Sequence, residues 1–335
     1  MNPLRRLRQT LARAMMKRRD ERDERTRWPQ WFLLAGRRER SAWCIPDPAG
    51  LTPLYPPADR FWADPFAWSA AGRQVIFMEE YPFHTARGRI SVLELGADLK
   101  PLGPAAPVLD EDRHLSYPFL FSFQGELYMV PESAASRRVD LYRCHIFPCG
   151  WTRVGTLLQG LQAADATLFE HQGRWWLFCS ARLGRARLND SLLAFHADSP
   201  LSDRWTPHPG NPLVRDYAGA RPGGRVFTDH QGRLLRPAQV SVPRYGYGLA
   251  LNEVLELTPE RLRERRLWQT TGAASGGWRA MHHLDWHDGL MVMDAQRLVA
   301  RPGEEMKIIC PQMNANKKSS RLYRQRRAAT LWERL

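Results

Sequence analysis

The chain is poor in the features that mark several common protein classes. It has no apolar run long enough to cross a bilayer, and "WFLLAG" is far too short. The basic N-terminus lacks the continuous apolar run and small-residue cleavage site of a secretory signal. Five cysteines, Cys44, Cys144, Cys149, Cys179 and Cys310, form no CxxC pair and no zinc-like spacing. They are expected to be reduced thiols in a cytosolic compartment, serving as small buried hydrophobes. There is no Walker loop, no dinucleotide fingerprint, no GxSxG and no Cys–His signature, so no cofactor is expected. Helical periodicity is nearly absent after residue 30.

Aromatic and turn-forming residues are abundant. Thirteen Trp, thirteen Phe and nine Tyr supply a substantial core, and 25 Pro with 24 Gly imply many turns. Both observations favour a β-rich fold, and all-β chains of this length often form one unit.

The net charge of +14 is unevenly placed. Residues 1–27 carry +6 and residues 301–335 another +6, leaving about +2 on the body. A nucleic-acid-binding fold would carry its charge on the body, so no nucleic-acid partner is expected. In the N-terminal segment Leu4, Leu7, Leu11 and Met15 recur at helical spacing among Arg5, Arg6, Arg8 and Arg13. That pattern fits a short basic amphipathic helix suited to an anionic membrane surface, or a solvated tail. "NKKSSRLYRQRRAATLWERL" at the C-terminus reads similarly.

The body repeats itself. An apolar segment, a polar-Gly turn and a second apolar segment ending on a polar residue recur five times: "ADPFAWSAAGRQVIFMEE", "SYPFLFSFQGELYMVPES", "DATLFEHQGRWWLFCSA", "GRVFTDHQGRLLRPAQ" and "HHLDWHDGLMVMDAQR". The turn glycines Gly72, Gly125, Gly173, Gly232 and Gly289 are 53, 48, 59 and 57 residues apart. A period near fifty made of several strands indicates a β-propeller, and five copies indicate five blades. The expected organisation is a basic tail over 1–27, an all-β five-bladed propeller over 28–312 and a basic tail over 313–335.

Equivalent positions of the blades should converge on the axis. Seven residues past each glycine lie Glu79, Glu132, Ser180, Gln239 and Gln296, all polar; eight before lie Asp64, Tyr117, Asp165, Gly224 and Met281. Alternation puts Tyr128, Val130 and Glu132 on one strand face. Asp64, Glu132 and Asp165 are thus candidate catalytic acids, although the two aspartates could equally cap turns. Glycosyl chemistry needs an acid to protonate the leaving oxygen and a carboxylate as base or nucleophile. Glu132, after Val130 and Pro131, suits the acid because apolar surroundings raise a carboxyl pKa; Asp64 suits the base and Asp165 an orienting role.

Candidate substrate-binding residues follow at the same rim. Arg221 and Arg236 offer guanidinium forks for phosphate, carboxylate or sugar hydroxyls, or else pair with nearby acids. His114 and His282 could bond a sugar hydroxyl, Gln239 belongs to the polar ring, and Asn189 and Asp190 lie near the axis or satisfy a turn. Trp62, Tyr117 and Tyr245 could stack on sugar rings. Tandem Trp175 and Trp176 should divide between core and inter-blade packing. His282, His283 and His287 surround a hairpin without matching acid or Cys spacing, so no metal is expected. "GAASGG" is expected to be a flexible loop.

"FWADPFAW", "HLSYPFLF", "MVPES", "LYRCHIFPCGW", "DATLFEHQGRWWLF", "NDSLLAF", "ARPGGRVF" and "LLRPAQ" occur in order between about residues 40 and 300. Together they resemble the N-terminal domain family of glucosamine inositolphosphorylceramide transferase, which also occurs in many bacterial polysaccharide-gene proteins. The resemblance implies a carbohydrate-active propeller serving cell-surface polysaccharide or glycolipid assembly, cytoplasmic or peripheral at the inner membrane face. A saccharide or nucleotide-sugar would be its partner and sugar transfer its activity, with glycoside hydrolysis and non-catalytic glycan binding as alternatives. In the plant members the transferase chemistry is credited to a separate C-terminal domain. The chain is more distantly similar to five-bladed arabinanase- and xylosidase-type hydrolases, whose first-blade Asp is matched by Asp64 in "ADPF".

Overall fold

The computed structural model describes residues 3–38, 46–184 and 188–300. Cys44, Cys310 and the expected C-terminal tail lie outside the described residues.

Five antiparallel sheets stand around one axis as the blades of a propeller. Blade 1 is built from Arg60–Ala70, Arg73–Pro82, Arg89–Leu95 and Ala106–Leu109, and blade 2 from Ser116–Phe123, Glu126–Glu132, Arg138–Ile146 and Gly150–Gln159. Blade 3 holds Ala163–His171, Arg174–Ala181, Ser191–Ala197 and Thr206–Pro207, with Val214–Arg215 also pairing its third strand. Blade 4 holds Phe227–Thr228, Leu234–Val240, Gly248–Leu257 and Leu262–Thr271. Blade 5 combines both ends of the described propeller: Leu284–His287 and Leu290–Ala300 are completed by Arg27–Arg37 and Thr52–Leu54. Its central register runs without interruption from Arg27 opposite Ala300 to Arg37 opposite Leu290, closing the ring with backbone hydrogen bonds.

The repeat reading holds at its two diagnostic positions. All five turn glycines have φ between 72° and 81°, in the left-handed region. In four turns the preceding residue, Ala71, Gln124, Gln172 or Asp288, is left-handed too, as a two-residue hairpin turn requires. The fourth copy instead has a longer turn, where the Asp229 carboxylate accepts from the Gln231 and Arg233 amides.

Eight residues before the glycine, the first strand of blades 1, 2 and 3 bulges. Two residues face one on the second strand, and Asp64, Tyr117 and Asp165 take φ of 51°, 43° and 54°. Such bulges bend a strand and re-aim a side chain. In blade 4 the equivalent Gly224 has φ 135°, and a Cβ there would lie 1.8 Å from the Leu284 carbonyl oxygen, so no side chain fits.

Apolar side chains fill the spaces between blades. Phe66, Phe77, Phe119, Leu120, Met129 and Leu177 join blades 1 to 3; Phe32, Leu34, Leu249, Leu251, Met291 and Met293 join blades 4 and 5. Trp176 is fully buried with Phe169 and Phe178, whereas Trp175 packs on Phe121 and Phe123 of blade 2 at 6.0 and 5.8 Å between ring centroids. Residues Gly272–Gly276 form a short helical turn, capped by the Thr271 hydroxyl, where a loop was expected.

The N-terminal segment is helical over Pro3–Asp23 (α1) and lies on the propeller. Asp20 pairs with Arg244 and Arg279 at 2.7 and 2.8 Å, Glu24 pairs with Arg279 at 2.6 Å, and the Arg13 guanidinium sits 4.5 Å from the centre of the Tyr217 ring.

Candidate active site

The bulges bring acids from distant strands to one end of the axis. Asp64 and Asp165 project from the first strands of blades 1 and 3, and Glu79 and Glu132 lie in the later part of the second strands of blades 1 and 2. Glu132 Oε2 accepts the Asp165 amide at 3.2 Å. All four side chains are buried.

Arg221 organises one side of this group. Its Nε and Nη2 donate to Asp165 Oδ2 and Oδ1 at 2.5 and 3.0 Å, its Nη2 also reaches Glu132 Oε2 at 3.3 Å, and its Nη1 donates to Asn189 Oδ1 at 2.5 Å. Gln239 adds a hydrogen bond to Asp165 Oδ2 at 2.8 Å. The Tyr245 ring centre lies 5.3 Å from the guanidinium. Burial opposes charge on Asp165, yet the adjoining Arg221 guanidinium holds its carboxyl below the ordinary range. Burial raises Glu132 well above the usual range, and the neighbouring Asp165 charge adds to this.

Blades 1 and 5 make the other side. The Asp294 carboxylate accepts the backbone amides of Asp64, His282 and His283 at 3.1, 2.9 and 3.0 Å. His282 Nδ1 is 2.7 Å from Asp294 Oδ2, and its Nε2 is 3.6 Å from Asp64 Oδ1. Burial disfavours the imidazolium, but the charge and hydrogen bond of Asp294 together with the Asp64 charge outweigh it and raise the His282 pKa. The His282 ring stacks on Trp31 at 4.2 Å and meets the edge of Tyr245. Burial pushes Asp64 up to about 7, poised to exchange a proton near neutral pH.

Glu79 is fully buried, and neither carboxylate oxygen makes a hydrogen bond. His114 Nε2 is 3.4 Å from Glu79 Oε1. Because the Gly88 amide donates to His114 Nδ1 and burial lowers His114 to about 4, the imidazole is neutral with its proton on Nε2, toward Glu79. Burial, then the nearby Asp64 and Glu132 charges, raise Glu79 well above the carboxylate range.

The expected residues therefore divide. Asp64, Glu132, Asp165, Arg221, Gln239, Tyr245 and His282 come together, with His114 beside Glu79 and Asp190 at the edge, hydrogen-bonded with Tyr217. Arg236 does not join them. Along Leu234–Val240 it alternates to the face opposite Gln239, where Glu264 and the Gly219 and Ala220 carbonyls occupy its donors. Tyr117 is fully buried, its hydroxyl 2.7 Å from Thr167 Oγ1 and accepting the Gly224 amide, so it ties three blades rather than offering a stacking face. Trp62 is buried too and donates its indole N–H to Glu80.

Three participants escaped the sequence reading. Glu79 shared the Glu132 repeat position and could have been found there. Asp294, two residues before Gln296, replaces an apolar residue of the other repeats. His283 packs edge-on to Phe66 at 4.6 Å, with its Nδ1 3.7 Å from Asp64 Oδ1. Asp64, His282 and Asp294 present ligand atoms within 4.8 Å of one another and could hold a cation. Asp64 lies more than 200 residues from His282 and Asp294, so local spacing carried no sign of that cluster.

Residues 35–299 match the family described as glucosamine inositolphosphorylceramide transferase 1, N-terminal. The chain belongs to that family. It is 35% identical over 272 residues to glucosamine inositolphosphorylceramide transferase 1 of Oryza sativa subsp. japonica, covering 78% of this chain and 35% of the relative. It is 34% identical over 264 residues to that of Arabidopsis thaliana, covering 74% of this chain and 34% of the relative. The family member described here thus spans about a third of the length of these curated relatives. Among solved structures, the catalytic domain of Coprinopsis cinerea GH62 α-L-arabinofuranosidase aligns with TM-score 0.53 at 12% identity, over 70% of this chain and 90% of that one. A putative glycoside hydrolase from Parabacteroides distasonis aligns with TM-score 0.52 at 15% identity, over 77% and 98%. These likenesses establish the shared fold.

Proposed function

We propose that this propeller acts on glycosidic bonds, transferring a glycosyl residue during assembly of a bacterial cell-surface polysaccharide or glycolipid at the cytoplasmic face of a membrane. One observation carries the reading: two buried carboxyls with raised proton affinity, Glu132 and Asp64, stand at one mouth with Asp165, which Arg221 keeps ionised. Glu132 gives its proton to the leaving oxygen while the Asp64 carboxylate takes one from the incoming hydroxyl. Asp165 and Arg221 hold the field between them constant. The transferase names of the relatives support transfer to a sugar or lipid hydroxyl. Hydrolysis is the second reading and needs the same two carboxyls, with water in place of the acceptor. Arg221 and Arg236 are both engaged by acids of the chain, so neither supports a nucleotide-sugar donor as a free phosphate fork.

The test is turnover of the purified chain on aryl glycosides and nucleotide-sugars, with and without glycolipid acceptors. Asp64→Asn and Glu132→Gln are expected to lower turnover by roughly 10²–10⁴-fold while the folded state persists. kcat/KM should fall tenfold per pH unit below about 7, as Asp64 takes up its proton. Glycan affinity that survives both substitutions, with no turnover on any donor, would make the propeller a binding module.

A further inference from the structure

Helix α1 sorts its charges. Two of the four acids in residues 1–27, Asp20 and Glu24, turn toward the propeller and are neutralised by Arg244 and Arg279. Leu11 and Met15 are 54% and 67% exposed. At 100° per residue Arg18 and Arg22 continue the same outward stripe, and the Arg22 side chain is 78% exposed. The outward face is thus apolar over one half and basic over the other. Asp23 lies 3.8 Å from Arg19 and Arg22 at the C-terminal end and Glu21 is exposed, so the outward face keeps a basic excess once Asp20 and Glu24 have turned inward.

The helix also lies at the end of the axis that carries the acids. Arg13 covers Tyr217, which is hydrogen-bonded with Asp190; the adjacent Asn189 accepts from Arg221. Arg244, which holds Asp20, precedes Tyr245, the ring beside the Arg221 guanidinium.

We infer that the outward stripe of α1 rests on an anionic lipid surface and holds the acid-bearing end of the axis beside it, so that the saccharide substrate is lipid-linked. A basic face flanking exposed Leu and Met complements anionic headgroups and the acyl boundary beneath them. The lipid-linked substrate rests on the function proposed above, whereas lipid docking does not.

Sedimentation of the full chain with vesicles tests the docking. Vesicles of phosphatidylcholine with one-third phosphatidylglycerol should bind it at low salt, and phosphatidylcholine alone should not. Replacing Arg18 and Arg22 together by Ala removes two charges and should weaken partitioning about thirtyfold. Leu11→Ser with Met15→Ser should weaken it as well, with thermal unfolding unchanged because neither side chain is buried. Docking is overturned if these variants partition like the parent. It is equally overturned if anionic vesicles fail to bind while the chain elutes as a dimer that the Leu11 and Met15 substitutions dissociate. For the substrate, the same variants should lose turnover on vesicle-embedded glycolipid and keep it on a soluble glycan; equal loss on both would sink that part. If no substrate turns over at all, the proposed function fails and the vesicle measurement still decides the docking.

Discussion

The buried cluster at the axis has two sides built on one repeat, yet they are chemically unlike. On the side of blades 3 and 4, Asp165 is held by both edges of Arg221 and by Gln239, and Arg221 reaches on to Glu132 and Asn189. On the side of blades 1 and 2, Glu79 is equally buried and makes no hydrogen bond through either oxygen. Pairing makes the difference. Asp165, gripped by both edges of the guanidinium, keeps its charge, whereas Glu79, with no guanidinium beside it, keeps its proton. One repeat can therefore supply a fixed anion in one sector and proton-holding acids in the next.

The comparison breaks most visibly at Arg221. Arg221→Ala strands Asp165 beside Glu132 with no cation, and unfolding in urea should show a loss of about 3–5 kcal/mol. Arg221→Lys should restore only part of it, because a point charge cannot serve the Asp165 carboxylate and Asn189 together as the planar fork does. A loss under about 1 kcal/mol would mean that the paired side does not depend on this ion pair.

Arg236 sharpens the contrast, since it is buried in the same blade but faces away from the axis. Arg236→Ala leaves Glu264 unpaired, though that side chain is 13% exposed and water can reach it. The expected cost is smaller, roughly 1–3 kcal/mol. Glycan affinity and turnover of the remaining folded protein should equal the parent's. A selective loss of affinity would return Arg236 to the site.

Asp64 comes next. Its pKa of about 7 in the folded chain exceeds the ordinary Asp value, so folding takes up a proton. The stabilising contribution is complete below about pH 4 and is lost as pH rises to about 7. Asp64→Asn cannot ionise and should therefore gain stability relative to the parent as pH rises from 5 to 8, by roughly 2–3 kcal/mol over that range. A pH-independent difference would mean that Asp64 is ionised throughout, as the partner of His282.

Much of this arrangement was legible because rotational symmetry turns a spacing of about fifty residues into a shared location. Turn glycines announced hairpins, and counting from them reached Asp64, Glu132, Asp165 and Gln239. Counting failed where the fold departs from its own repeat. Gly224 cannot carry a side chain, and Arg221, three residues earlier, fills that sector instead. Asp294 stands where the other repeats are apolar, and its role appears only when His282 and Asp64 are brought beside it. Arg236 failed for a simpler reason: it differs from Gln239 by an odd number of residues, and strand parity sends it to the other face. The docking of α1 was invisible too, because Asp20 and Glu24 find their cations more than 200 residues away.

The smallest effect probes the unpaired side most directly. If Glu79 holds its proton at neutral pH, Glu79→Gln exchanges one neutral group for another of similar shape. At about pH 4 the two proteins should differ in stability by less than about 0.5 kcal/mol. As pH rises, the unfolded parent ionises at Glu79 while the folded parent, with its raised pKa, still holds the proton, so the parent loses stability that the Gln variant keeps. The gap should widen steadily from pH 5 to 8 in favour of Gln. A gap that stays level, with Gln the less stable at every pH, would show Glu79 ionised and paired to a protonated His114. That result would erase the distinction between the two sides, because both would then be ion pairs. Glu79→Ala separates volume from charge. It should cost more than Gln at every pH, since it leaves a cavity beside Gly88, whose own Cβ would come within 2.7 Å of Glu79 Oε1.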